Sequence, residues 1–219
     1  HSALDLVQGY AQTILHPNSR HKSSIICSHG LFSWKVVPFG LAGAPSFFQN
    51  CMNRMMDPLS EWGEFTAIML DDILVFSETF EEHLEHLERV FNKLKIKKYW
   101  CNLSKCALAF LRVKYLGQIV GGGERKPNPD KVKHLVNMAN PTTTTELRGF
   151  LGLGAYLSDY IPNFAKICAP FTPLRGLPKR TKITLNKEQN CAMKQLKTAL
   201  TNAPVLKLCD PDKVYYVMP

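Results

Sequence analysis

Hydrophobic and polar positions along the chain predict two regions of different character. Up to residue 119, short apolar runs that predict strands, such as 3–7, alternate with amphipathic segments at 44–59 and 79–100. After the triple glycine at 121–123, the apolar spacing is mostly helical. We therefore expect a mixed α/β region followed by a helical one, with a boundary near these glycines.

Several element ends can also be predicted. Four polar residues are expected to cap helices, because their side chains can accept a hydrogen bond from the first helical turn. They are Thr79, Asp130, Thr143 and Asn186. The helix after Thr79 is expected to bury one apolar face, formed by Leu84, Leu87, Phe91 and Leu94. Further strands are expected in 31–40 and from residue 113 onward.

The stretch "TAIMLDDILVFS" places Asp71 and Asp72 between two apolar runs, which predicts two short strands joined by a tight turn. One interpretation is a solvated turn, where aspartate is common. The other is a Mg²⁺ site, because hard divalent cations prefer carboxylate oxygens and an isolated buried carboxylate is costly. Asp5, in a separate apolar strand, supplies the third carboxylate that two-metal nucleotidyl transfer needs.

Charge is distributed unevenly along the 219 residues, whose formal net charge is +9. Residues 1–119 carry 12 basic and 11 acidic side chains, whereas 120–219 carry 15 and 7. A basic half indicates a polyanionic partner, with nucleic acid first, although a merely soluble basic surface has the same composition. No apolar run reaches the roughly 20 residues that span a bilayer, so no membrane partner is expected.

Cysteine usage indicates a reducing compartment, because the seven cysteines are odd in number and show no disulfide framework. A structural zinc site is a further hypothesis. His83 and His86 precede Cys101 and Cys106, although the cysteine pair is spaced more loosely than in common zinc knuckles. We expect no bound zinc.

Eight motifs follow one another along the chain. They are "LDLVQGYAQ", "FSWKVVPFGLAGAPSFFQ", "MLDDILVFS", "HLEHLERVFNKLK", "NLSKC", "VKYLG", "ELRGFLGL" and "YIPNFAKICAPF". Their order resembles the reverse transcriptase of gypsy-type LTR retrotransposons and, more distantly, that of the retroviral Pol polyprotein. No single motif decides the resemblance, but six or more in the same order are very specific, and they cover essentially the whole chain.

This resemblance implies an α+β fold, in which a polymerase palm of antiparallel sheet and helices precedes a helical thumb and connection region. Residues 1–119 would form the palm, without the fingers that usually precede Asp5. Residues 120–180 would form the thumb and connection, and 181–219 the truncated start of an RNase H-like domain. Nuclease activity is then expected only of the intact parent, and this fragment alone is expected to be inactive.

The resemblance also implies the chemistry of an RNA-directed DNA polymerase. Asp5, Asp71 and Asp72 match the catalytic aspartates of the family, which bind two Mg²⁺ ions, with Mn²⁺ as a possible substitute. Lys105, in "NLSKC", matches a lysine that helps pyrophosphate to leave. A plain surface lysine is the alternative interpretation of Lys105.

Four residues match nucleotide-binding positions of the family. Tyr10 matches a bulky ring under the sugar that excludes a 2′-hydroxyl group. Phe39 and Gly40 match residues beside the templating base and the incoming nucleotide. Met69 stands where the family usually has an aromatic residue, and a methionine can still pack against a primer end. Core packing is the alternative for Tyr10 and Phe39.

Tyr115, Leu116 and Gly117, in "VKYLG", match the primer grip. The expected partners are an RNA or DNA template with its primer, dNTPs, and the remaining Pol regions, RNase H and integrase. The expected location is intracellular, in the cytoplasm or a virus-like particle, without secretion. The competing hypothesis is a decayed retroelement remnant that lacks catalysis and at most binds nucleic acid.

Overall fold

The computed structural model describes residues 1–202 and 204–208, and the chain divides into two compact units. The first unit is His1–Leu116, and the second begins at Gly117. Each unit has its own cluster of buried apolar side chains. Helices combined with antiparallel strands confirm the predicted α+β class.

The first unit contains short strands and two long α-helices. The strands are β1 (Ser2–Asp5), β2 (Ile25–Cys27), β3 (Gly30–Phe32), β4 (Thr66–Met69), β5 (Asp72–Val75) and β6 (Val113–Tyr115). The helices are α1 (Ala44–Met55) and α2 (Phe80–Lys97). The strand predicted in 31–40 ends at Phe32, and the rest of that segment pairs only at an isolated bridge between Val36 and Ile14.

Strands β1, β5 and β4 form an antiparallel sheet in that order, so β5 is its central strand. Ile73, Leu74 and Val75 of β5 are all buried. A strand covered on both faces requires such a continuous apolar run. Asp72, at the start of the same strand, is only half-buried, so the acidic pair marks the point where the covered part of β5 begins.

Helix α2 begins at the predicted cap, where the Thr79 side chain accepts a hydrogen bond from the backbone N–H of Glu82. Its buried face differs from the predicted one. The buried residues are His83, Leu87, Val90 and Leu94. Leu84, predicted to be buried, is 50% exposed, and His83 takes the inward position because hydroxyl groups satisfy its ring nitrogens there.

A polar network surrounds the buried His83. Its Nε2 atom lies 2.7 Å from Ser2 Oγ, and its Nδ1 atom lies 3.0 Å from Ser77 Oγ. Ser77 Oγ also lies 2.7 Å from Nδ1 of His86. Burial, and then the positive charges of the amino terminus and His86, lower the pKa of His83. The network therefore holds a neutral imidazole between β1, α2 and the segment after β5.

The described part of the second unit is mostly helical, as predicted. Its strands are β7 (Gln118–Gly121), β8 (Glu124–Pro127) and β9 (Leu206–Lys207). Its α-helices are α3 (Pro129–Asn137), α4 (Thr144–Tyr156), α5 (Phe164–Cys168), α6 (Thr172–Arg175) and α7 (Lys187–Thr201). Across the described residues of both units, no helix is long and apolar enough to cross a membrane.

Helix caps in this unit follow the sequence prediction with one exception. Thr143 and Asn186 cap α4 and α7, each within a capping box, as predicted. Helix α3 is capped by Asn128 and not by Asp130, so that prediction is wrong. Pro129 explains the difference, because proline is favoured at the first helical position and the cap is the residue before it.

The triple glycine forms a tight turn. Strands β7 and β8 pair so that Gly121 lies opposite Glu124, which leaves Gly122 and Gly123 as the two turn residues. Their φ angles are 65° and 70°, the left-handed values that a type I′ hairpin turn requires at both positions. These glycines therefore close a hairpin a few residues after the start of the second unit.

The His83 network predicts a loss of stability in acid. Because the pKa of His83 is lowered in the folded protein, the unfolded chain takes up a proton at higher pH than the folded protein does. The free energy of unfolding should therefore fall as the pH decreases through the ordinary histidine value of about 6.5, and level off below the folded-state pKa. Substitution His83→Gln should flatten this pH dependence in urea unfolding series.

His21 provides the matched control, because its side chain is exposed. The variant His21→Gln should keep the pH dependence of the unsubstituted chain. An equally steep loss of stability in His83→Gln would assign the acid sensitivity to other groups.

Candidate active site

The register of the sheet brings Asp5 and Asp72 together. Strand β1 pairs with β5 so that these two residues lie directly opposite each other. Opposite residues of an antiparallel pair project from the same face, with Cβ atoms about 5 Å apart. On the other side of β5, Met69 at the end of β4 also lies opposite Asp72. One end of the sheet therefore carries both aspartates and Met69.

Leu70 and Asp71 form the two-residue turn between β4 and β5. Leu70 has a φ of 56°, which is uncommon for a residue with a side chain. Its backbone N–H donates a hydrogen bond of 2.6 Å to Oε1 of Gln49, and Nε2 of Gln49 donates to the carbonyl of Ile68. Gln49, on α1, thus supports the turn that carries Asp71.

The segment after β1 lies against the same turn. The backbone N–H of Leu6 donates a hydrogen bond of 3.2 Å to the carbonyl of Asp71. A Cβ atom added at Gly9 would lie 2.7 Å from Cζ of Phe48 and 3.3 Å from Cβ of Asp71. Gly9 therefore allows the chain to pass between the core and the turn that carries Asp71.

Three half-buried carboxylates share this region, and their charges act on one another. Burial, and then the negative charges of Asp71 and Asp5, raise the pKa of Asp72. A divalent cation would relieve this repulsion, and carboxylate oxygens are the ligands that Mg²⁺ prefers. The donor chemistry therefore fits Mg²⁺. The spacing does not by itself form a metal site, because within 1–202 and 204–208 no three His, Cys, Asp or Glu side chains are grouped closely enough to hold an ion.

Lys105 lies beside Asp5. Its Nζ atom is 3.7 Å from Oδ2 of Asp5, and its side chain is 65% exposed. The intervening loop is fixed by Asn102, whose backbone N–H donates to the carbonyl of Asp5 and whose carbonyl accepts from the backbone N–H of Lys105. Exposed ion pairs contribute little to stability, so the lysine remains available to a further anion near Asp5.

Tyr10 lies between a core residue and an exposed aromatic ring. Its ring centroid is 5.2 Å from that of the fully buried Phe48 and 5.3 Å from that of Phe39, both in edge-to-face geometry. Phe39 is 71% exposed, which contradicts core packing as its role. The structure therefore connects the predicted sugar-contacting ring to the core on one side and to Phe39 on the other.

Gly40 and Met69 are the remaining predicted nucleotide contacts. Gly40 has a φ of 92°, which L-residues rarely adopt, and a Cβ atom there would meet no atom within 4 Å. Its backbone conformation, and not lack of space, therefore explains the glycine. Met69 is 50% exposed at the sheet end, so its side chain is accessible from solvent beside Asp72.

The predicted primer grip begins at the end of β6. The hydroxyl of Tyr115 donates a hydrogen bond of 3.0 Å to the carbonyl of Ala67, on β4. Burial, and then the negative charge of Asp72, raise the pKa of Tyr115 to about 12. Leu116 and Gly117 follow with left-handed φ angles of 44° and 69°. Tyr115 thus lies close enough to Asp72 to sense its charge, and it stays protonated.

The two histidines of the zinc hypothesis have other partners. Both ring nitrogens of His83 and Nδ1 of His86 are engaged with serine hydroxyls. Burial, and then the charges of Cys106 and Asp5, raise the pKa of Cys101 to about 11. A protonated thiol is a poor metal ligand. Within the described residues, these side chains form no metal-binding group.

Gln49, Gly9 and Phe48 contribute to the site, and sequence reasoning did not assign them a role. Phe48 could have been found as an apolar residue of the predicted helix. Gln49 follows it directly, as a polar residue bordering the buried face of α1. The local sequence does not show that its amide reaches a turn 21 positions later.

Gln49 supports a prediction about stability. Substitution Gln49→Ala should leave the backbone N–H of Leu70 without its acceptor and lower the free energy of unfolding by about 1–3 kcal/mol in urea unfolding. Asn92, an exposed amide on α2, is the control, and Asn92→Ala should change stability by less than about 0.5 kcal/mol. Equal losses in the two variants would contradict the supporting role of Gln49.

Comparison with known proteins gives the family of the chain. The family described as "Reverse transcriptase (RNA-dependent DNA polymerase)" matches residues 1–120. The chain is 37% identical to the retrovirus-related Pol polyprotein from transposon 297 of Drosophila melanogaster, over 98% of this chain and 20% of that protein. It is 28% identical to the Pol polyprotein from transposon gypsy of the same species, over 94% of this chain and 20% of that protein. The chain thus spans about a fifth of these relatives.

A solved structure shows the same fold. The foamy viral protease–reverse transcriptase in complex with an RNA/DNA hybrid superposes with a TM-score of 0.84 and 25% identity. The match covers 96% of this chain and 28% of that one. The chain therefore belongs to the reverse transcriptase family, and its relatives include the Pol polyproteins of gypsy-type LTR retrotransposons.

Proposed function

We propose that this chain carries the catalytic palm of an RNA-directed DNA polymerase that extends a primer with dNTPs. The observation that carries the proposal is the register that sets Asp5 opposite Asp72, with Asp71 in the adjoining turn. Two-metal nucleotidyl transfer needs carboxylates converging on one point. The raised pKa of Asp72 supports the proposal, because perturbed carboxylates are common at functional sites.

Asp5, Asp71 and Asp72 would hold two Mg²⁺ ions, or Mn²⁺ in their place. Bound ions would favour deprotonation of the primer 3′-hydroxyl and would neutralise negative charge on the α-phosphate of the dNTP. The chain itself supplies placement: the β1–β5 ladder fixes Asp5 and Asp72, and Gln49 supports the turn with Asp71. In the reaction, the 3′ oxygen bonds to the α-phosphorus, and the bond to the bridging oxygen of pyrophosphate breaks.

Lys105 would stabilise the departing pyrophosphate. Its exposure and its position 3.7 Å from Asp5 support this role, since a cation there can meet negative charge that develops on the leaving group. A lysine ammonium group also carries protons that it can donate to an oxygen of that group. The alternative interpretation, a plain surface lysine, would also place Lys105 beside Asp5, as an exposed ion pair.

Tyr10, Phe39, Gly40 and Met69 would surround the nucleotide. Tyr10 is backed by the buried Phe48, so its ring cannot retreat easily from a sugar, and this rigidity supports exclusion of a 2′-hydroxyl. The exposed side chains of Phe39 and Met69 offer apolar surface for stacking or packing against bases. Tyr115, Leu116 and Gly117 would hold the primer end.

The template and primer would be held mainly through their phosphates. The excess of basic residues in 120–219 supports this, because phosphate contacts give a sequence-independent and salt-sensitive affinity. The solved foamy viral relative was bound to an RNA/DNA hybrid. We propose that 120–180 serve as thumb and connection and that 181–219 begin an RNase H-like domain. RNase H and integrase would then be further parts of the longer polyprotein.

Nucleic-acid binding without catalysis is the second candidate function. One observation favours it: within the described residues, the carboxylates are not grouped closely enough to hold a metal ion by themselves. In that case the chain would bind template and primer, and primer extension would be absent even in a longer polypeptide.

Primer extension separates these functions. A polypeptide in which the natural upstream sequence precedes His1 should add dTMP to oligo(dT) on poly(rA) in the presence of Mg²⁺. Substitution Asp71→Asn should abolish the addition, because it removes a metal-ligating charge, and should leave duplex binding nearly unchanged. Primer extension by radiolabel and duplex binding by fluorescence anisotropy are the measurements.

Glu85→Gln is the matched control, because it removes one carboxylate charge from the exposed face of α2. This variant should extend the primer at the unsubstituted rate. Full activity of Asp71→Asn would disprove the metal assignment, and absence of extension by the unsubstituted polypeptide would favour the binding function.

A further inference from the structure

A polar cleft of about 410 Å³ lies on the solvent side of α1. It is lined by Asn50, Asn53, Arg54 and Asp57. Three of these residues lie on the last turns of α1, and Asp57 follows in the segment after the helix ends at Met55. None of the four residues belongs to the active site described above.

The cleft offers hydrogen-bond donors that lack acceptors. Arg54 is exposed, and within the described residues it has no carboxylate partner within ion-pair distance. Its planar guanidinium group matches a phosphate in two-point geometry. Oδ1 of Asn53 accepts a hydrogen bond of 2.8 Å from Nε2 of Gln49, which turns its amide N–H groups to other partners. The cleft is therefore suited to an anion.

Asp57 narrows the choice of anion. Its Oδ1 atom accepts a hydrogen bond of 3.0 Å from the backbone N–H of Leu59, which fixes the carboxylate at the rim. A carboxylate repels a free phosphate dianion, but it can accept a hydrogen bond from a hydroxyl group. The sugar–phosphate backbone of RNA combines a singly charged phosphodiester with a 2′-hydroxyl donor. This combination matches Arg54 and Asp57.

The cleft is also connected to the catalytic turn. Asn53 accepts from Nε2 of Gln49, and Oε1 of the same Gln49 accepts from the backbone N–H of Leu70. A strand bound to Asn53 would hold the Gln49 amide in the orientation that supports Leu70. Occupation of the cleft would thereby stabilise the turn that carries Asp71.

We propose that this cleft binds the backbone of an RNA strand, with Arg54 on a phosphodiester, the Asn50 and Asn53 amides on neighbouring oxygens, and Asp57 on a 2′-hydroxyl. The inference rests on the proposed function, because it supplies a contact for the RNA strand of a template–primer. It adds a site outside the aspartates and connects that site to them through Gln49.

Equilibrium binding to the chain tests the phosphate contact. A fluorescent RNA/DNA hybrid is titrated at several salt concentrations and followed by anisotropy. Arg54→Ala should weaken binding about 3–10-fold and reduce the slope of log affinity against log salt by about one. Arg89→Ala is the matched control, because the charge of Arg89 is already paired with Glu61 at 2.8 Å, and it should change neither quantity. Equal effects of the two substitutions would overturn the site.

The RNA assignment has its own test. Asp57→Ala should weaken binding of the hybrid relative to a DNA duplex of the same sequence, because it removes the acceptor for the 2′-hydroxyl. If Asp57→Ala strengthens binding of both duplexes equally, the carboxylate only repels phosphate, and recognition of RNA is overturned. Shifts of the Asn50 and Asn53 side-chain amide resonances on titration with the hybrid provide a second, local readout.

Binding and polymerisation remain distinguishable. The titrations contain no dNTP, and they are repeated with the Asp71→Asn chain, in which the Arg54→Ala effect should persist. If primer extension fails while Arg54→Ala still weakens binding, catalysis is rejected and RNA binding in the cleft is retained. If the polypeptide extends primers but Arg54→Ala leaves binding unchanged, only RNA binding in the cleft is rejected.

Discussion

The pairing of β1 with β5 is the interaction on which the site depends. Leu4 and Leu6 are each 2% exposed, whereas Asp5 between them is half-buried. A slip of one residue would turn both leucines to the opposite face and Asp5 into the core. Burial of a carboxylate without partners costs several kcal/mol or a shifted pKa. The hydrophobic effect on Leu4 and Leu6 therefore fixes the register that sets Asp5 opposite Asp72.

Helix α1 connects this sheet to the rest of the first unit. Its buried side carries Phe48, which packs against Tyr10 and leaves room only for glycine at position 9. Gln49, the next residue, holds the turn at Leu70. A residue with positive φ is under strain unless its surroundings determine its conformation. Because core packing and turn support come from adjacent residues of one helix, the position of Asp71 depends on the core and not on a mobile loop.

Local signals in the sequence predicted most helices, strands and caps. Contacts between residues far apart in the chain determined which polar side chains are buried, and the sequence patterns do not show these contacts. Thr79 and Asn186 were predicted as caps because a cap depends on its own side chain and the next three residues. The apolar pattern placed Leu84, and not His83, on the buried face of α2, but hydroxyl groups from Ser2 and Ser77 make burial of His83 possible. The role of Gln49 was not predictable either, since Ile68 and Leu70, which it supports, lie on β4 and in the turn after it. Burial of polar residues is thus the structural feature that patterns in a single sequence predict least well.

The acidic pair shows the same limit of prediction from sequence. It also places a negative region in a chain whose net charge is positive. Two aspartates at a turn are ordinary, and only the pairing of β1 with β5 brings Asp5 beside them. Three carboxylates beside one lysine form a negative region in a chain whose net charge is +9. A polyanion cannot approach such a region without cations, whereas the basic residues of 120–219 attract it. If the aspartates bind divalent ions as proposed, these ions would neutralise the negative region and allow the polyanion to approach it.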